Sequence, residues 1–258
     1  MDITNEEITE HEANLQAIAE YRMIDDTFLS AVFDGRIEET ELLLRIILER
    51  EDIIVESVKA QFFFSNLYGH EVRIDIVARD RTGKVYSVEV QRDMAEASVR
   101  RARFNGAMVD VSLLKKGQKY KELPDRYTIF ITEEDMFHKG FPVYHAENTV
   151  KELKNAPLED GGHIIYVNGQ YRNTDTPIGR LMHDFYCTNP DDMLNPLFRD
   201  RVSYLKKTEG GQKEMDMILE RRINEDISCC KGRITCNLGR IIEAIRTDDA
   251  PEQCTSQH

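Results

Sequence analysis

The stretch EVRIDIVARDRTGKVYSVEVQ, residues 71–91, constrains this chain more than any other. Apolar β-formers (Val72, Ile74, Ile76; Val85, Val88, Val90) flank the turn residues Asp80, Arg81, Thr82 and Gly83, so the segment reads as a β-hairpin. Side chains two apart on a strand share a face, so Glu89 and Gln91 point one way while Val88 and Val90 point the other. Asp75, between Ile74 and Ile76, likewise faces away from its apolar neighbours. Paired strands can therefore bring Asp75, Glu89 and Gln91 into one small volume. Two carboxylates on rigid strands form a seat for a hard divalent cation with oxygen ligands, Mg2+ or Mn2+.

The flanking segments complete a sheet. Asp25 or Asp26 caps a short helix through Phe28, Leu29, Val32 and Phe33, and Gly35 ends it. Residues 38–48 form a second helix with too many apolar residues for one stripe, so most of it is buried. Residues 53–64 (IIVESVKAQFFF) read as a strand or strand pair in which Gln61 either lines the site or is, as the plainer account, a satisfied sheet polar residue. A helix over about 95–114 carries Arg100, Arg101 and Arg103, and the unbroken apolar run YTIFIT at 127–132 suits a buried central strand. The order α-β-β-β-α-β predicts an α/β (α+β) fold, a mixed sheet flanked by helices. Phe141 to Tyr144 adds a short strand, and the Asn168-Gly169 turn makes residues 163–171 an edge hairpin or sheet extension. Helices at 178–186 and from about 197 through 227 form a helical C-terminal extension. The expected organisation is an acidic arm at 1–20, a core domain at 21–172, the extension at 173–245 and a disordered tail at 246–258.

A net charge of −13 argues against a nucleic-acid partner until its distribution is considered. Residues 1–20 hold six acids and no Lys or Arg, whereas residues 91–126 hold nine bases against five acids. A basic segment thus follows the acidic hairpin directly. Guanidinium groups on a helix beside two carboxylates can touch phosphates, so Arg100, Arg101 and Arg103 are candidate DNA contacts; intrahelical pairing such as Glu96 to Arg100 is the plainer reading of any one of them.

The pattern D-x13-E-V-Q on a hairpin, followed by an arginine-bearing helix, resembles the PD-(D/E)XK nuclease superfamily in the variant whose motif lysine is glutamine. With DDTFLSAVFDGRIEETELLLRIIL before it and RARFNGAMVDVSLLKKGQKY, YTIFITEED, HIIYVNG, LMHDFYCTNPDDM and RVSYLKKTEGG after it, the chain is similar to the recombination-promoting nuclease or transposase branch of that superfamily over residues about 21–220. The resemblance implies a metal-dependent DNA endonuclease in which Asp75, Glu89 and the Val90 backbone carbonyl hold Mg2+ or Mn2+ and Gln91 stands where the lysine would be. It also implies that Glu41, on the first core helix, joins the metal site; the alternative is an acid complementing the dipole of a helix start. Because an amide cannot carry the lysine's charge, a weak or inactive nucleic-acid-binding module of the same fold is the competing reading. A homodimer is expected if both strands of a duplex are cut.

Five cysteines, an odd number, fit reduced thiols in a cytoplasm. Cys229, Cys230 and Cys236 lack a zinc-like spacing. His183, Asp184 and Cys187 lie close in sequence, but a packed helical histidine is the commoner arrangement. No apolar run or leader-like N-terminus calls for a membrane.

Overall fold

A computed structural model describes residues 18–65, 71–93, 96–114 and 116–221. The expectations for most of the acidic arm, the tail and the four cysteines beyond Cys187 lie outside the described residues. The described residues up to 215 form one compact unit, and the described part of the second, 216–221, is helical.

The first unit is built on a six-stranded mixed sheet. Its strands are β1 (Val55–Ser65), β2 (Glu71–Asp80), β3 (Val85–Gln91), β4 (Arg126–Thr132), β5 (Val143–Ala146) and β8 (Gly162–Asn168), in the order β1-β2-β3-β4-β8-β5. Two short strands, β6 (Thr149–Val150) and β7 (Ala156–Pro157), pair separately. β1-β2-β3 is an antiparallel meander, whereas β3, β4 and β8 run parallel. The parallel strands explain the unbroken apolar run at Ile129-Phe130-Ile131, since a strand covered on both faces has no polar side.

Among the helices of the described residues are α1 (Asp26–Phe33), α2 (Ile37–Leu48), α3 (Val99–Leu113), α4 (Pro177–Tyr186) and α5 (Pro196–Lys207). α1 and α2 pack on β1, α3 packs on β4 and β8, and α4 and α5 pack on α2 and α1. Ala102 of α3 buries against Phe130 and Tyr166. Gly106, on the same helix, leaves room for Arg126: a Cβ there would lie 2.2 Å from its guanidinium, which instead reaches Asp110 at 2.8 Å.

The β2–β3 turn is fixed by Asp80, whose Oδ1 accepts the Thr82 N–H at 2.9 Å and the Lys84 N–H at 3.0 Å while Oδ2 accepts the Tyr86 hydroxyl at 2.8 Å. Gly83 supplies the left-handed residue the turn needs, at φ 87°.

Three expectations need correction. Of the two readings of residues 163–171, the sheet extension holds and the edge hairpin does not: β8 extends the sheet between β4 and β5, and after it Gly169 N–H bonds Thr132 O at 2.8 Å, steering the chain away from a return strand. The helix expected through 227 breaks at Thr208, which is extended and caps the next helix by accepting Gly211 N–H at 3.0 Å. Neither Asp25 nor Asp26 caps α1 through its side chain; Asp25 pairs with Arg22, and Asp26 points elsewhere.

Candidate functional site

Four ladder pairs, from Arg79↔Val85 to Ile76↔Val88, join β2 to β3. The next position, Asp75 opposite Glu89, is where the two strands part. There a side chain replaces the ladder: Asp75 Oδ2 accepts the Val90 N–H at 2.9 Å. β2 continues along β1 to Ser65↔Glu71 while β3 continues along β4 to Gln91↔Thr132. The sheet therefore forks, and a cleft of about 540 Å3 opens at the fork. Residues opposed across an antiparallel pair project to the same face, so the register aims Asp75 and Glu89 to one side.

Both acids are nearly inaccessible, Asp75 7% and Glu89 2% exposed. Glu89 faces α3. Its Oε1 accepts a hydrogen bond from Asn105, and its Oε2 accepts from Gln91 Nε2 at 3.2 Å and from Arg101 Nη2 at 3.3 Å. The position of α3 comes from its cap, since Ser98 accepts the Arg101 N–H and starts the helix at Val99. That phase puts Arg101 and Asn105, one turn apart, toward the cleft.

A third carboxylate lines the same cleft. Asp26, in the first turn of α1, pairs with Arg73 at 3.0 Å and accepts from Gln61 Nε2 at 2.8 Å. Gln61 lies between the register pairs Ala60↔Ile76 and Phe62↔Ile74, level with Asp75, and its backbone is left-handed at φ 51°. A non-glycine residue held there stores strain, a feature that clusters at functional sites. The kink turns the Gln61 amide toward α1, where it also bonds Ser30 Oγ at 2.7 Å.

Burial pushes the Asp75 carboxyl well above the usual range, and the charges of Asp26 and Glu89 push it further. The Val90 N–H and Arg73 act the other way without cancelling this. Burial also raises Glu89, against the pull of Arg101, Asn105 and Gln91. Carboxylates crowded out of water suit a divalent cation: its charge offsets both the desolvation and the mutual repulsion, and hard oxygen donors match Mg2+ or Mn2+. The donors at the fork are carboxylate and carbonyl oxygens, the class of ligand such an ion takes.

Among the residues singled out from sequence, Asp75, Glu89, Val90, Gln91 and Arg101 meet at the cleft. Glu41 does not. Its Oε2 accepts the Val55 N–H at 2.9 Å and its Oε1 pairs with Arg45 at 2.6 Å, so it anchors the start of β1 to α2. Arg100 and Arg103 are exposed on α3, outside the cleft lining. Sequence reasoning missed Asp26, which it treated as a cap, and Asn105, whose only signal was its helical spacing from Arg101.

His183, Asp184 and Cys187 do come together, with His183 Nδ1 3.3 Å from Asp184 Oδ1 and 3.5 Å from Cys187 Sγ. Asp184 is already engaged. It accepts the Leu194 N–H at 2.7 Å, the Asn195 N–H at 2.9 Å and Asn195 Nδ2 at 2.7 Å, and so fixes the loop between α4 and α5. Among the described residues, no helix is long and apolar enough to cross a membrane.

A family described as PD-(D/E)XK nuclease family transposase matches residues 36–173, just over half of the chain. No curated protein and no solved structure matches.

Proposed function

This chain belongs to the PD-(D/E)XK nuclease transposase family, and from that premise we propose that it is a metal-dependent DNA endonuclease acting in transposition or recombination. The observation that carries the reading is the fork itself, where Asp75 replaces a ladder bond on Val90 directly across from Glu89.

In this reading Asp75 and Glu89, with the Val90 carbonyl, would hold Mg2+ or Mn2+, and Asp26, not Glu41, would be the further acid of the cleft. When bound, the ion polarises the scissile phosphate and lowers the pKa of a water. Asn105 fixes the orientation of Glu89, Arg73 and Gln61 fix that of Asp26, and the Gln91 amide hydrogen-bonds the attacking water. Arg100 and Arg103, on the solvent side of α3, contact flanking phosphates. The protein works in the cytoplasm, and a homodimer provides the two sites that a double-strand break requires.

Purified protein incubated with plasmid, single-stranded DNA and RNA in Mg2+ or Mn2+, beside Asp75→Ala and Glu89→Ala, tests this. Cleavage of DNA by the parent and its loss in both variants supports the proposal. Equal cleavage by parent and variants identifies a contaminant and removes it. Binding without cleavage by the parent favours the non-catalytic module, for which Gln91 is the specific argument.

A further inference from the structure

Gln91 leaves the proposed site without the positive charge that an amine at that position would supply. The structure places a charge beside it from another element. Gln91 Nε2 and Arg101 Nη2 donate to the same atom, Glu89 Oε2, at 3.2 and 3.3 Å. A guanidinium from α3 therefore stands next to the amide from β3, inside the cleft.

The surroundings of Arg101 suit a group that exchanges partners. Its side chain is one-third exposed, whereas Glu89 beneath it is 2% exposed. Its other nitrogen pairs with Glu96, a solvent-facing carboxylate, and pairs of that kind hold weakly. Arg100 and Arg103 project outside the cleft, so of the three helix arginines Arg101 alone lines it.

We propose that Arg101 is a catalytic residue of the nuclease site: it neutralises Glu89 in the metal-free protein and transfers to the scissile phosphate when a divalent cation takes Glu89. This rests on the nuclease reading above. In the reaction the water oxygen forms a bond to phosphorus as one phosphorus–oxygen ester bond breaks; the water's proton leaves to solvent, and the departing oxygen gains one. Arg101 gives up no proton, and its fork of donors offsets the charge that builds on the phosphoryl oxygens. Arg101 and the cation thus compete for Glu89 before cooperating in the transition state.

That competition gives a signature opposite to a structural role. Arg101→Ala should cleave DNA at least tenfold more slowly yet bind Mn2+ several-fold more tightly by isothermal titration calorimetry, because a competing cation has gone. Arg101→Lys should keep most of both properties. Gln91→Lys added to Arg101→Ala should restore cleavage to within about threefold of the parent by returning charge from the strand side. Parental cleavage rates in Arg101→Ala, or Mn2+ binding unchanged or weakened there, would overturn the proposal. If Asp75→Ala cuts as fast as the parent, the nuclease reading fails by itself, and the calorimetry still decides whether Arg101 and the ion contend for Glu89.

Discussion

Replacing Asp75 with asparagine separates the two consequences of a buried, like-charge-crowded carboxylate. The asparagine carbonyl oxygen can still accept the Val90 N–H, so the fork keeps its hydrogen bond while a neutral amide nitrogen takes the place of the charged second oxygen. In the metal-free protein that charge is unfavourable, because burial and the neighbouring Asp26 and Glu89 outweigh Arg73. Removing it should stabilise the fold by about 1–3 kcal/mol. For a domain of this size that raises the melting temperature by roughly 2–12 °C. Scanning calorimetry in EDTA reads this directly. The same scan with Mn2+ gives the other half: the parent should gain about 2.7 kcal/mol at a hundredfold excess of ion over its dissociation constant, and Asp75→Asn should gain little of it. The variant should therefore be the more stable protein without metal and the inactive one with it. A variant that melts below the parent in EDTA, or that gains as much from Mn2+, would refute the reasoning.

Other consequences follow from the same contacts. Asp26→Asn should lower cleavage at least tenfold while Glu41→Gln leaves it within about twofold of the parent; the reverse order would return Glu41 to the site. Burial and the charges of Asp184 and Asp192 push the Cys187 thiol up to about 11, so its thiolate forms only as pH rises toward that value. Alkylation of the Cys187 peptide, followed by mass spectrometry, should keep climbing past pH 10, and a plateau at pH 9 would contradict this. Asp184→Ala removes the acceptor of two part-buried backbone N–H bonds, from Leu194 and Asn195, and should cost about 1–3 kcal/mol in a urea titration without changing Mn2+ affinity.

What the sequence made legible was mostly local. The hairpin could be read because Asp80 and Gly83 determine its turn and the alternation of Val88 and Val90 with Glu89 determines its faces. The buried strand at 127–132 announced itself by its unbroken apolar run. The Asn168-Gly169 turn forms, with Tyr171 N–H on Asn168 O at 3.1 Å, but no return strand follows it, because long-range pairing of β8 with β4 and β5 decides the layout there. The same limit explains the acid of the first helices. Asp26 and Glu41 are both helix-start acids by pattern, and only the kink at Gln61 and the reach of Arg73 bring one of them to the cleft. Charge was informative in its distribution: Arg101 meets Glu89 within a chain of net charge −13.

In the proposed site Asp75 and Glu89 share one divalent ion. Crystals grown with Mn2+ and measured at the manganese absorption edge should show an anomalous peak at the fork within coordination distance of both carboxylates, with Arg101 withdrawn from Glu89. A peak elsewhere in the molecule, or none at the fork with Arg101 still on Glu89, would contradict it.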